Sequence, residues 1–322
     1  SLALLFLGLA ACSGNGSDAS AYLDRSPALK TTDTGFEYQV APPAGARDLS
    51  NPRVHGSWAS VDLESNGCRA IAVYHFPDAE LDIRAPRHVV DGCQLGLERP
   101  NDLSVADLNE GRLLTRSGLL FDFDADGIQL LADLSVVAPI EDFYGAAIVD
   151  QGLVAVRSGS TVHLLGSVGS SWENVARLQV DGGYRPLQAA GDLLGAGEFL
   201  FRRTGADWER IEDSDYLQPD SLTADSFRGS LEWWDWNGVS FEPRDVRCGH
   251  FLMADGSTYG VWGRSGTVTL GVHDRMCESS ERSVLQNVRA LALDVGQVFV
   301  VNQSNGLTWV RLQQQDPIEG VV

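Results

Sequence analysis

The sequence predicts an all-β chain folded as a circular array of seven four-stranded antiparallel units. Two observations predict it: a phrase that recurs along most of the chain, and the lack of any apolar run with helical period over more than two turns. The phrase is a short stretch containing alanine, an aspartate, a glycine turn, an apolar strand, and a second polar turn ending in glycine. It reads plainly at Val105-Ala106-Asp107 with Gly111-Arg112-Leu113-Leu114-Thr115-Arg116-Ser117-Gly118. It returns at Ala147-Ile148-Val149-Asp150 with Gly152-Leu153-Val154-Ala155-Val156-Arg157-Ser158-Gly159. Later copies centre on Ala190-Gly191-Asp192 with Arg203-Thr204-Gly205, Ala224-Asp225 with Asn237-Gly238, Ala254-Asp255 with Arg264-Ser265-Gly266, and Ala292-Leu293-Asp294 with Asn305-Gly306. A degenerate first copy is Ala59-Ser60-Val61-Asp62 with Gly67. The aspartates stand 30 to 45 residues apart, which defines seven units.

Each interval holds four strand-like runs separated by turn residues. In the third unit these are Gly145 to Val149, Leu153 to Arg157, Thr161 to Leu165 and Trp172 to Leu178. A four-stranded unit of roughly 40 residues resembles the blade of a β-propeller. The resemblance is to the class: the phrases match neither the WD, the kelch nor the quinoprotein pattern. It implies that the alanine-bearing strand is the innermost of each blade, where strands crowding toward one axis leave room only for small side chains. The last unit has three strands, Val288 to Leu293, Gln297 to Asn302 and Leu307 to Gln313. Phe36 to Val40 alternates, belongs to no unit, and is expected to supply the fourth, latching a domain that spans 36–322.

Ahead of that domain, Leu2 to Ala11 is a charge-free apolar run. It is shorter than the roughly 20 residues that span a bilayer, and its length and small terminal residues suit a cleavable export signal. Leu9-Ala10-Ala11-Cys12 resembles the lipobox of bacterial lipoproteins. That resemblance implies a signal peptide over 1–11, lipid attachment at Cys12, and membrane contact through the lipid alone. Ser13 after the cysteine, where enteric-type lipoproteins retained at the inner membrane have Asp, points to the outer membrane, with the body in the periplasm or on the surface. The chain opens on Ser1 without Met or basic residues and reads as truncated there. Residues 12–35, polar and punctuated by Gly, Ser, Thr and Pro, read as a flexible tether.

The remaining cysteines, Cys68, Cys93, Cys248 and Cys277, are an even number, as suits an oxidising compartment. Three pairings are open; the local ones, Cys68 with Cys93 and Cys248 with Cys277, are favoured. A zinc site is the rival reading, but no Cys-x-x-Cys or clustered His accompanies them. With 24 basic against 44 acidic residues and a net charge of −20, the chain repels nucleic acid and anionic lipid.

Asp122-Phe123-Asp124-Ala125-Asp126-Gly127 has the spacing that turns alternate carboxylates on one calcium ion, as in integrin-like propellers, and Asp133 stands where helix-loop-helix sites place a bidentate Glu. Leu130 stands where the propeller loops supply their last carboxylate, and Asp-Gly is also ordinary hairpin chemistry. Apart from this candidate calcium site at Asp122, Asp124 and Asp126, no cofactor is expected. The seven aspartates are expected at the ends of inner strands on one face, either as a cation-attracting ring or in Asx-turns to their own backbone. The opposite face then gathers the hairpins of Arg116, Arg157, Arg203 and Arg264 with loops bearing Phe143, Tyr144, Tyr184, Arg185, Tyr216 and His250. Arginine and aromatic side chains are the types enriched in binding hot spots, and this face is the candidate recognition surface. Trp233-Trp234-Asp235-Trp236 reads as a sugar-stacking platform or as core between blades. No nucleophile elbow, phosphate loop or zinc-protease motif occurs, which leaves catalysis open because propeller active sites are assembled from several blades.

The reading is an envelope lipoprotein serving as a rigid protein-interaction platform, by analogy of fold and anchoring with the propeller lipoprotein of the outer-membrane barrel assembly machinery. The alternatives are a glycan-binding or glycan-cleaving propeller, expected from eight tryptophans and many carboxylates, and a calcium-stabilised adhesion protein.

Overall fold

The computed structural model describes residues 30–32, 35–76, 85–96, 103–109, 111–137, 143, 145–180, 187–211, 221–222, 226–228, 233–237, 240–243, 252–253, 258–262, 268–272, 280–285, 287–294 and 297–312. They form 29 strands in seven antiparallel sheets, six of four strands and one of five.

Blade 1 holds β3 (Arg47–His55), β4 (Trp58–Ser65), β5 (Cys68–His75) and β6 (His88–Asp91). Blade 2 holds β7 (Val105–Asn109), β8 (Arg112–Thr115), β9 (Leu119–Phe123) and β10 (Ile128–Asp133). Blade 3 holds β11 (Ala147–Asp150), β12 (Leu153–Ser158), β13 (Thr161–Val168) and β14 (Ser171–Gln179). Blade 4 holds β15 (Leu187–Ala190), β16 (Leu193–Ala196), β17 (Phe199–Thr204) and β18 (Asp207–Arg210). Blade 5 runs from β19 (Ser221–Leu222) through β20 (Ser226–Arg228) and β21 (Trp233–Trp236) to β22 (Phe241–Pro243). Blade 6 runs from β23 (Leu252–Met253) through β24 (Thr258–Trp262) and β25 (Val268–Val272) to β26 (Ser280–Leu285).

Blade 7 joins the two ends of the chain. Its inner strands β27 (Val288–Asp294), β28 (Gln297–Asn302) and β29 (Leu307–Leu312) come from the C-terminal side, and β2 (Gly35–Val40) pairs antiparallel with β29, Gly35 opposite Leu312 and Val40 opposite Leu307. The predicted latch is therefore present. A fifth strand, β1 (Lys30–Thr32), extends the sheet beyond β2, so the last residues expected in the tether lie in the blade.

The first strand of each blade is the innermost. β23 touches β27, β27 touches β3, β3 touches β7, β7 touches β11, β11 touches β15, and β15 touches β19, so that blades 6 and 7 return to blade 1. Alanines sit on these strands as expected: Ala106 and Ala147 are buried on β7 and β11, and Ala190 and Ala292 half-buried on β15 and β27. The degenerate first copy was expected on an innermost strand, but Ala59 to Asp62 lies on β4, the second strand of its blade. The inner position is taken by β3, which matches the phrase only in its closing glycine, Gly56.

Strand alternation explains the cores. Successive side chains leave a strand on opposite faces, so a blade between two others is apolar on both sides. On β5, Ala70, Ala72 and Tyr74 pack toward blade 7 with Phe299 and Trp309, while Ile71 and Val73 pack toward blade 2 with Leu113 and Phe121. On β12, Val154 and Val156 join blade 2, and Leu153 and Ala155 join blade 4. These cores are thus shared between neighbouring blades.

Candidate functional site

An innermost strand is the edge of its sheet, and alternate peptide groups point away from its single neighbour. Two of these groups, and one peptide in the turn that follows β3, are held by the preceding blade in the same way: a carboxylate accepts the N–H and a carboxamide donates to the C=O of one residue. Val105 N donates to Asp62 Oδ1 at 2.9 Å, and Val105 O accepts from Asn51 Nδ2 at 2.7 Å. Ile148 N donates to Asp107 Oδ2 at 2.7 Å, and Ile148 O accepts from Asn109 Nδ2 at 3.3 Å. Gly56 N donates to Asp294 Oδ2 at 2.6 Å, and Gly56 O accepts from Gln297 Nε2. The same Gln297 accepts from Trp309 Nε1 at 3.1 Å through its Oε1, which fixes the amide orientation.

Asp62 also accepts from Ser104 Oγ and, at 3.0 Å, from Asn51 Nδ2. Burial pushes the carboxyls of Asp62 and Asp107 up from the ordinary range, against the pull of these hydrogen bonds. The predicted aspartate ring is thereby corrected. Asp62, Asp107 and Asp294 hold neighbouring blades, and Asp62 lies midway along β4. Asp150 does both things: it accepts from its own turn at Gly152 N (2.6 Å) and from Arg203 Nη1 of blade 4 at 2.5 Å.

That ion pair corrects the proposed recognition face as well. Arg203 ends β17, the third strand of its blade, so its hairpin opens on the side where inner strands finish, with Asp150, and away from the hairpins of Arg116 and Arg157. Phe143 is 1% exposed and packs among Leu114, Leu120 and Leu134, so it is core and cannot bind at a surface. Arg157 is 6% exposed, its Nε donating to Gly159 O at 3.0 Å. Arg116 is half-buried, its backbone bonded to Ser104 and Phe143. Tyr144, Tyr184, Arg185, Tyr216, His250 and Arg264 lie outside the described residues.

On the Asp150 side, blades 2 and 3 enclose a cleft of about 250 Å³ lined by Asn109, Arg112, Ile148, Val149, Asp150 and Gln151. Arg112 opens β8, and its side chain is 14% exposed. Its Nε and Nη1 are buried without a hydrogen-bond acceptor, the nearest charge being Asp122 Oδ1 at 3.7 Å from Nε. No sequence signal singled out Arg112; a single arginine after a glycine turn acquires meaning only when the next blade is beside it.

The acidic hairpin does not gather its carboxylates. Asp124 Oδ1 accepts from Asp126 N at 2.7 Å and Gly127 N at 2.9 Å, which holds its carboxyl below the ordinary range, while Asp122 faces Arg112. Asp133 accepts from Ser135 N at 3.0 Å. Among the described residues the only group of three potential ligands is Cys68, Asp91 and Cys93, and its two sulfurs form a disulfide. That bond, Cα to Cα 5.8 Å, is one of the two pairings favoured from sequence; Cys248, Cys277 and Cys12, the expected site of lipid attachment, lie outside the described residues. Trp234 stacks parallel to Phe227 at 6.3 Å, and Trp236 meets Phe241 at 5.0 Å with the Arg202 guanidinium 4.0 Å over its ring. Both indoles are half-buried and contribute to the packing of blades 4 and 5.

No known protein family matches the chain, and no curated protein matches it in sequence. Solved structures do match it in shape. Hsv2 of Kluyveromyces marxianus, 12% identical, superposes with a TM-score of 0.50 over 84% of this chain and 98% of its own. The chain is a β-propeller. BamB of Moraxella catarrhalis is 12% identical at a TM-score of 0.43, over 90% of this chain and 97% of its own. The WD40 domain of Toxoplasma gondii coronin is 11% identical at 0.49, over 92% and 91%. At such identities the likeness concerns the propeller fold alone.

Proposed function

We propose that this propeller is a rigid platform for protein partners in the bacterial envelope, held to the outer membrane by a lipid on Cys12. The observation that carries the platform reading is the polar cleft between blades 2 and 3. Its walls are fixed by the Asp107–Asn109 grip on Ile148 and by the Arg203–Asp150 pair, and it contains a largely buried arginine with N–H groups left unsatisfied. An unmet guanidinium N–H in a protein interior costs about 1–3 kcal/mol, a cost that a partner's acceptor would relieve. The carboxyls displaced upward by burial are engaged at blade joints, which makes them structural rather than catalytic. The lining of the cleft contains no aromatic side chain, so it offers nothing for a sugar ring to stack on, and protein binding is favoured over glycan binding.

A photocrosslinking residue placed at Gln151, on the cleft, and at Ser158, on the opposite side, tests the reading in intact cells. Adducts to an envelope protein are expected from position 151 and lost in Arg112→Ala; adducts from 158 alone, or from neither position, would refute it. Radiolabelled palmitate should enter the wild-type chain and fail to enter Cys12→Ser. The acidic hairpin is already closed by its own backbone, so a chelator should leave the melting temperature unchanged; a fall abolished by Asp124→Ala would restore the calcium reading.

A further inference from the structure

We infer that the outer edge of blade 2 accepts an extended segment of a partner protein as an added strand. This rests on the platform reading and names where and how a partner attaches. β10 is the outermost strand of its sheet, paired only with β9 among the described residues. Asp124 N donates to Gly127 O across the hairpin, so that pair is hydrogen-bonded. By alternation Gln129 opposite Asp122 is bonded as well, while Ile128 and Leu130 direct their N–H and C=O outward. A row of such groups is a template for another strand.

The side chains agree. The register shifts between Leu130 and Ala132, and this bulge reverses the alternation: Ile128 packs on the blade 1 side and Ala132 on the blade 3 side. Between them Leu130 and Leu131 are left 45% and 41% exposed, and Val136, just beyond, is 81% exposed. Charge marks the outer strands β14 (Glu173 and Arg177), β18 (Asp207, Glu209 and Arg210) and β22 (Glu242), while β6 of blade 1 is only four residues long, ends on Asp91 and exposes a single apolar side chain, Val89. β10 carries a charge only at its last residue, and among the outer strands whose side chains are described it is the one with two adjacent exposed apolar side chains. Asp126 precedes the strand and Asp133 ends it, so both ends are negative. The complementary occupant is an extended segment with alternating apolar residues and basic residues at its ends.

The probe is an acetylated, amidated peptide, Lys-Val-Thr-Val-Thr-Val-Lys, added to the intact chain while amide exchange is followed residue by residue. The Leu130 amide should exchange about tenfold more slowly with this peptide. It should show no such slowing with the same peptide N-methylated along one edge, with a glutamate-flanked version, or in a Leu130→Glu/Leu131→Glu variant. Both leucines are exposed, so that variant should keep its melting temperature. No slowing at Leu130, or equal slowing along β14, overturns the inference. A concentration-dependent dimer abolished by Leu131→Lys would make the occupant a second copy and overturn it too. If adducts from position 151 persist in the double glutamate variant while the peptide has no effect, the platform reading stands and this inference alone fails.

Discussion

Asp62 and Asp107 are buried acids facing N–H donors, and the number of donors decides what each substitution does. Asp62 receives Val105 N, Asn51 Nδ2 and Ser104 Oγ, so Asp62→Asn would turn an N–H₂ toward donors. The expected loss is about 2 kcal/mol, measured by chemical denaturation. At Asp107 the carboxylate accepts from Ile148 N, and Asp107→Asn keeps an acceptor for it while removing a buried charge, so a smaller loss is expected. A carboxyl whose folded value is raised contributes stability that is fully present below its unfolded value and lost as pH rises through the folded value. Lowering the pH from neutral toward the ordinary carboxylate range should therefore raise the melting temperature, and Asp107→Asn should flatten that rise. Asp124 has the opposite sign, and its contribution falls away only on further acidification through its depressed value. Gly118 shows what backbone conformation demands: φ is +88°, and a Cβ would lie 2.7 Å from Phe143 Cε2 and 3.1 Å from Ser135 N. Gly118→Ala should cost about 3 kcal/mol, read from the same denaturation curves. The aspartates were legible in the sequence as markers, and their role was not, because their partners lie more than 40 residues away on the next blade.

Among the elements, strands with a clear period and sharp turns could be read directly. β11 to β14 fall where Ala147, Gly152, Gly159 and the alternating run after Ser171 place them. The disulfide was equally accessible, since Cys68 and Cys93 are separated by 25 residues and bracket two adjacent strands. Replacing both cysteines by serine should lower stability by about 3 kcal/mol, and reduction of the wild type should lower the melting temperature by at least as much as the double substitution. What misled was phase. A turn of arginine, small residue and glycine closes the second strand of blade 3 at Gly159 and the third strand of blade 4 at Gly205, and these open on opposite sides of the ring. Local chemistry is identical in the two: Arg157 Nε donates to Gly159 O and Arg203 Nε to Gly205 O. Only the count of strands separates them, and a short fourth blade hides that count. Leu130 and Leu131 illustrate the same limit, because a one-residue bulge changes which face each residue takes without leaving a mark in composition.

For the whole molecule, the ring accounts for the rest. A carboxylate and a carboxamide bind two inner strands, and the turn after a third, to the blade before, adjacent blades share apolar cores, and β2 joins β29 so that N-terminal and C-terminal strands form one sheet. Without that pairing blade 7 would present β29 as an edge, and the fixed cleft between blades 2 and 3 would belong to an open array with freer blades. Gln39 and Thr308 are direct partners across the closure, Gln39 Nε2 donating to Thr308 Oγ1 at 3.2 Å. Cysteines introduced together at these two positions give the most direct test. Mild oxidation of the folded chain should link residues 39 and 308, identified by mass spectrometry of the joined peptides, and should raise the unfolding temperature. Two free thiols in the folded, oxidised protein would contradict the closed ring.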